Sequence, residues 1–145
     1  MTVRQTRTVK ISAADAISNR RRGGDIRVLL SPKTVGSTSG FMGVLTLAPG
    51  EYVSEHYHPY SEEFVYVVRG RLVMRVEDEL VELNPGEAMV VPIGVRHRLR
   101  NVGDEEAQAV FHLSPLAPRP ELGHVDTEEP PHRGESSPEV GGDSR

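Results

Sequence analysis

Between residues 25 and 113 the chain is cut into short apolar segments, and this texture narrows the fold more than any other feature. The segments span residues 26–30, 41–47, 52–58, 63–68, 72–76, 80–83, 88–91, 95–99 and 107–113. They are rich in Val, Leu, Phe and Tyr and end at turn signals such as Pro49-Gly50, Arg69-Gly70, Glu77-Asp78, Asn84-Pro85-Gly86 and Pro92-Ile93-Gly94. Closely spaced strands with no convincing helix among them predict an all-β sandwich or barrel, since βαβ units would need helical periods between the strands. Gly50, Gly70 and Gly86 fall at strand ends, where a tight turn or positive φ is expected.

The flanks differ in texture. Residues 1–24 read as a polar, basic arm: Ser12 is placed to cap one helical turn, and Arg20-Arg21-Arg22-Gly23-Gly24 reads as a solvated loop or as a docking patch for an acidic partner. Residues 114–145 hold six of the eleven prolines, many acidic and small residues and few aliphatics. That composition reads as a disordered tail unless the barrel or a neighbouring chain holds it. The expected organisation is one domain at 25–113 with an N-terminal arm, 1–24, and a proline-rich C-terminal tail, 114–145.

Several function classes drop out. With no cysteine among 145 residues, disulfides, thiolate zinc sites and cysteine nucleophiles are absent. A net charge of −4 without a polybasic face argues against nucleic acid as the main partner. No apolar run is long enough for a membrane span, and the first ten residues have no apolar signal core. The expected location is cytoplasmic.

His56 and His58 are separated by one residue, and alternate residues on a strand share a face, so two imidazoles converge as ligands of one ion must. The wider spacing is Gly50-x5-His56-x-His58-x4-Glu63-x6-Gly70, then Gly86-x5-Pro92-x-Gly94-x2-His97-x3-Asn101. This double pattern resembles the two motifs of the cupin superfamily, position for position. The resemblance implies a double-stranded β-helix, or jelly-roll barrel, with a divalent metal held inside by His56, His58, His97 and Glu63. Three imidazoles and a carboxylate suit Zn2+, with Fe2+, Mn2+, Ni2+ and Cu2+ as alternatives. Adjacent strand residues face opposite ways, so only one of Glu62 and Glu63 points inward, and the spacing favours Glu63.

His112 lies outside both motifs, on the 107–113 segment, in phase with Gln108 and Val110. If that phase faces the cavity, His112 is either the fourth ligand in place of Glu63 or a catalytic acid/base beside the metal, with Glu63 then free as a base. His124 and His132 read as incidental tail residues. Candidate cavity walls are Phe41, Leu45, Phe64, Val65, Tyr66, Val67, Met74, Met89 and Phe111, an apolar set suited to a flat ligand carrying a few oxygens.

A second likeness is broader. Residues 21–32, then Gly40-Phe41-Met42-Gly43 and residues 55–64, resemble the small single-domain cupin cyclases of bacterial aromatic polyketide pathways, of the resistomycin type. The resemblance implies an enzyme of antibiotic biosynthesis that closes rings of a poly-β-ketone chain by aldol condensation and dehydration, with the metal as Lewis acid. The implied partners are an aromatic polyketide intermediate, carried on an acyl carrier protein or free, and a second copy of the chain in a homodimer that exchanges its terminal arms. The alternatives are an iron- or copper-dependent dioxygenase acting on a flavonoid- or diketone-like substrate, and a non-catalytic small-molecule-binding cupin.

Overall fold

The computed structural model describes residues 9–141. In chain order the elements are β1 (Asp25–Leu30), α1 (Pro32–Val35), β2 (Phe41–Leu47), β3 (Tyr52–Tyr57), β4 (Glu62–Arg69), β5 (Leu72–Val76), β6 (Glu79–Leu83), β7 (Ala88–Val91), β8 (His97–Asn101), β9 (Ala107–Ser114) and β10 (Val125–Asp126). They form two antiparallel sheets with strand orders β1-β2-β9-β4-β7 and β10-β3-β8-β5-β6. This is the all-β architecture that the turn-punctuated sequence predicts, and the double-stranded β-helix that the resemblance of its motifs implies. No ladder among the described strands joins the two sheets, so they face each other without closing into a barrel. The chain crosses between sheets through turns such as the one at Gly50, whose φ of 83° breaks strand geometry.

Alternation decides which side of each strand enters the interior. On β4, Glu63, Val65 and Val67 are buried between exposed neighbours, and on β9 Ala107, Ala109, Phe111 and Leu113 are buried. Leu47, Val65, Val67, Leu72, Met74 and Val91 form the centre of the core. Full burial of each large apolar side chain contributes roughly 1.5–3 kcal/mol. Asn101, buried at the end of β8, donates to the carbonyls of Leu47 and Glu105 and accepts from the Gly103 amide. Its polar groups are thereby satisfied where a turn would otherwise leave backbone groups unpaired.

Two local elements depart from the sequence reading. Residues 32–35 form a one-turn helix because Ser31 and Thr34 make a reciprocal capping box and Pro32 sits in the first turn, where its missing N–H costs nothing. The expected cap at Ser12 is present, but the turn it starts, Ala13–Asp15, is 3-10.

The flanks are pinned to the sheets. Arg20 pairs with Glu51, and Arg21 donates to the carbonyls of Arg133 and Glu135, so the basic loop is not a solvated connector. The tail folds back over its own chain. β10 pairs with β3, placing Val125 opposite Tyr57 and Asp126 opposite His56. Glu128 accepts from the Glu55 amide and from Arg98, and Thr127 donates to the Glu55 carboxylate. These bonds hold in cis a segment whose composition reads as disordered.

Candidate metal centre

Each ligand candidate is delivered by its own local signal. His56 is on β3 and stands opposite His97, the first residue of β8. The sequence places His58 on the same strand, but β3 ends at Tyr57, and the Gly94 amide bonded to the His58 carbonyl holds that residue just beyond the end. Glu63 projects inward from β4 in the facing sheet, while Glu62 is exposed on the opposite face. His56, His58, Glu63 and His97 are each less than a tenth exposed. One ligand atom from each lies within 4.8 Å of the others. Ligands of one ion at about 2.0–2.2 Å are separated by up to about 4.4 Å, so a slight contraction seats a single ion.

The hydrogen bonds of the imidazoles specify their tautomers. His56 Nδ1 lies 2.7 Å from the Ser54 carbonyl, His58 Nδ1 2.9 Å from the Gly123 carbonyl and His97 Nδ1 2.9 Å from the Val95 carbonyl. A carbonyl only accepts, so each Nδ1 carries a proton, and a neutral ring would present its Nε2 lone pair inward. The Nε2 atoms of His58 and His97 lie 3.1 and 2.9 Å from Glu63 Oε1. Two lone pairs so close to a carboxylate oxygen need a cation between them, either a proton or a metal ion. The residues therefore fit a divalent ion bound by nitrogen and oxygen.

The electrostatics agree with that geometry. Burial, followed by the neighbouring His97 and His58, holds the His56 pKa well below its ordinary value and keeps the ring neutral. Burial alone would raise the Glu63 pKa, but hydrogen bonds from His58 and His97 outweigh it and hold the carboxyl well below the usual range. For His97 burial is opposed by Glu63, which holds the imidazole above its ordinary value.

His56, His58 and Glu63 of the cluster line a cavity of about 560 Å3, with His97 behind them. Phe41, Leu45, Phe111, Leu113 and Leu116 form much of its apolar surface, and Gly123, His124 and residues 137–141 of the tail close over it. Of the expected wall residues, Phe64 and Tyr66 instead stand on the outer face, 44% and 48% exposed, and Val65, Val67 and Met74 belong to the closed core. Phe41 and Phe111 meet edge to face across the cavity side, their centroids 6.4 Å apart.

His112 does not enter the cavity. The buried phase of β9 is Ala107, Ala109, Phe111 and Leu113, so His112 points to the outer face, beside Phe64 at 6.1 Å between ring centroids. On this placement His112 lies outside both the His/Glu cluster and the cavity lining.

The histidine that stands beside the centre is His124, a tail residue outside both motifs. Its ring lies 4.4 Å from that of His56 and 5.4 Å from that of His58, and its Nε2 is 2.7 Å from Asp126 Oδ1. Burial, then His56 and Arg22, drive its pKa far below the ordinary histidine value. The available signal was His124-Val125-Asp126, two polar residues spaced to share one face of an extended segment. His132 does not line the cavity.

Residues 43–113 match the cupin domain family. The chain is 65% identical over 112 residues to the polyketide synthase CurC of Streptomyces cyaneus, covering 77% of this chain and 73% of that one. It is 52% identical over 133 residues to the tetracenomycin polyketide synthase protein TcmJ of Streptomyces glaucescens, covering 92% and 89%. Among solved structures, a conserved Klebsiella pneumoniae protein with a double-stranded β-helix domain superposes with a TM-score of 0.67, covering 84% of this chain and 99% of that one. Its 18% identity carries the fold alone. Two facing antiparallel sheets, an inward cluster of three histidines and a glutamate, and these relatives lead to one assignment: the chain belongs to the cupin family.

Proposed function

We propose that the protein is a metal-dependent aromatic polyketide cyclase, which closes rings of a poly-β-ketone chain by aldol condensation and loss of water. The observation that carries the reading is the convergence of three Nε2 atoms and one carboxylate oxygen on the wall of a mainly apolar cavity. Relatives named for polyketide synthases, at 52% and 65% identity, supply the substrate class. The ion that His56, His58, His97 and Glu63 would hold is zinc in this reading; when bound it supplies Lewis-acid polarisation of a ketone oxygen.

The chain's own residues do the rest. The Ser54, Gly123 and Val95 carbonyls fix the three imidazoles so that their Nε2 lone pairs point to one place. Phe41, Leu45, Phe111 and Leu113 exclude water and confine the folded ketone chain, which limits the ring closures it can reach. The His124–Asp126 pair lies beside the cluster, where a proton must move if an enolate is to form.

The test is metal analysis of the purified protein combined with incubation on a poly-β-ketone substrate. Zinc near one equivalent per chain and cyclised product without oxygen uptake are expected. Oxygen consumption with bound iron or copper would replace the cyclase by a dioxygenase, and a protein that binds no metal would end the reading.

A further inference from the structure

Arg20, Arg21 and Arg22 are consecutive, yet their surroundings differ. The Arg20 guanidinium meets Glu51 at 3.1 Å, and Arg21 donates to the carbonyls of Arg133 and Glu135. The Arg22 side chain is only 14% exposed and lines the cavity, and its guanidinium makes no hydrogen bond with any described residue. Its nearest carboxylate oxygen, Asp126 Oδ1, is 3.9 Å from Nε, beyond hydrogen-bonding range, and that oxygen already accepts from His124 at 2.7 Å.

A buried charge without a hydrogen-bond partner is costly, and arginine carries five donors in a planar fork. Burial lowers the Arg22 pKa only to about 10, so the fork stays charged at neutral pH. The local backbone holds it at the cavity. The Arg22 carbonyl accepts from the Ser54 amide at 2.9 Å, and Gly23, at a φ of 113°, brings the chain against Tyr52. Asp126 provides a compensating negative charge at a distance that leaves the donors free.

We propose that Arg22 is the oxygen-binding residue of this cavity, its guanidinium donating to a ligand's pair of adjacent oxygens that share one negative charge, as in the enolate of a β-diketone. The fork geometry matches two oxygens held side by side, and a charge-assisted pair in a site shielded from water is stronger than one at the surface. The apolar wall then takes the carbon skeleton, and the polar end is read at Arg22. This makes Arg22 a specificity-determining residue. The choice of ligand class rests on the polyketide reading above, but the recognition chemistry does not.

The test uses the full-length, metal-loaded protein and three probes, with binding measured by isothermal titration. The probes are 1-phenyl-1,3-butanedione, which enolises; its 2,2-dimethyl derivative, which cannot; and 4-phenylbutanoate, whose paired oxygens come from a carboxylate. Arg22→Met keeps the backbone bond to Ser54, and Arg22→Lys keeps the charge without the fork; circular dichroism and metal content establish that both variants are folded and loaded. The expected result is that Arg22→Met weakens the enolisable diketone by about tenfold or more, the scale of a lost hydrogen bond to a charged group, while the dimethyl derivative binds weakly to both proteins. Arg22→Lys recovers part of the loss. A parallel loss for 4-phenylbutanoate extends the recognition to carboxylates, and its absence restricts it to enolates. Equal affinity of wild type and Arg22→Met for all three, or no binding by wild type, overturns the assignment. A wild type that cyclises its substrate while Arg22→Met binds as well removes Arg22 alone; Arg22-dependent binding without any cyclised product removes the cyclase reading alone.

Discussion

His124 stacks on His56, with ring centroids 4.4 Å apart and planes 17° from parallel. One ring comes from a motif strand and the other from the proline-rich tail, so the tail is a structural part of the centre. The tail also supplies the Gly123 carbonyl that accepts from His58 Nδ1.

Replacing any of His56, His58 or His97 by Ala is expected to abolish stoichiometric metal binding. Each removes one imidazole ligand, and loss of His58 or His97 also leaves Glu63 with one fewer partner in a buried site. Metal content by atomic emission after desalting checks this; retention of a full equivalent by any single variant would remove that residue from the ligand set.

A chain truncated after Leu116 loses the partner of His58 Nδ1 and the cover over the cavity. Loss of an outer hydrogen bond to a ligand histidine typically weakens metal affinity about 10–100-fold. Competition with a calibrated chelator measures this, and unchanged affinity would show that the tail does not support the centre.

His112→Ala is expected to retain metal content and turnover within about a factor of two of wild type, since surface substitutions away from special features are usually near neutral. His112 stands on the outer face beside Phe64. A large loss of turnover with intact metal content would contradict this placement.

Docking of the tail depends on pH. The hydrogen bond from Thr127 holds the Glu55 carboxyl below its ordinary value, with Arg75 adding to it against the opposing effect of burial. Glu128 is also held low: burial pushes it up, but the Glu55 amide and Arg98 outweigh that. A carboxyl depressed in the folded state stabilises above its unfolded pKa, and the contribution is lost as pH falls through the folded value. Tail contacts should thus be intact at neutral pH and weaken below about pH 4. Hydrogen exchange in residues 115–141 as a function of pH measures this, and protection that persists unchanged to pH 3 would count against the clamp.

Gly23→Ala should destabilise the fold by about 2–4 kcal/mol, combining left-handed strain with a steric clash. At a φ of 113°, its Cβ would stand 1.8 Å from the Tyr52 carbonyl oxygen. Urea unfolding gives the value, and a change under about 0.5 kcal/mol would show that the loop relaxes freely.

The strand positions and the ligand cluster were legible in the sequence because both depend on local, repeating geometry. Alternation of period two and breaks at Gly and Pro marked β2, β5 and β7 to the residue and most other strands to within one or two positions. The same alternation singles out Glu63 over Glu62 once its spacing from His58 is given. Pairing between distant segments decided the rest. Both faces of residues 107–113 carry apolar residues, so periodicity alone left the phase of His112 open; the pairing of β9 between β2 and β4 turns Ala107, Ala109, Phe111 and Leu113 to the interior. His124 and Arg22 lie in segments with no periodic signal. Hydrogen bonds between β10 and β3 place the first, and the contact of the Gly23 loop with Tyr52 and Ser54 places the second. A polar residue's partners are set by which backbone folds against it, and local composition carries no record of that.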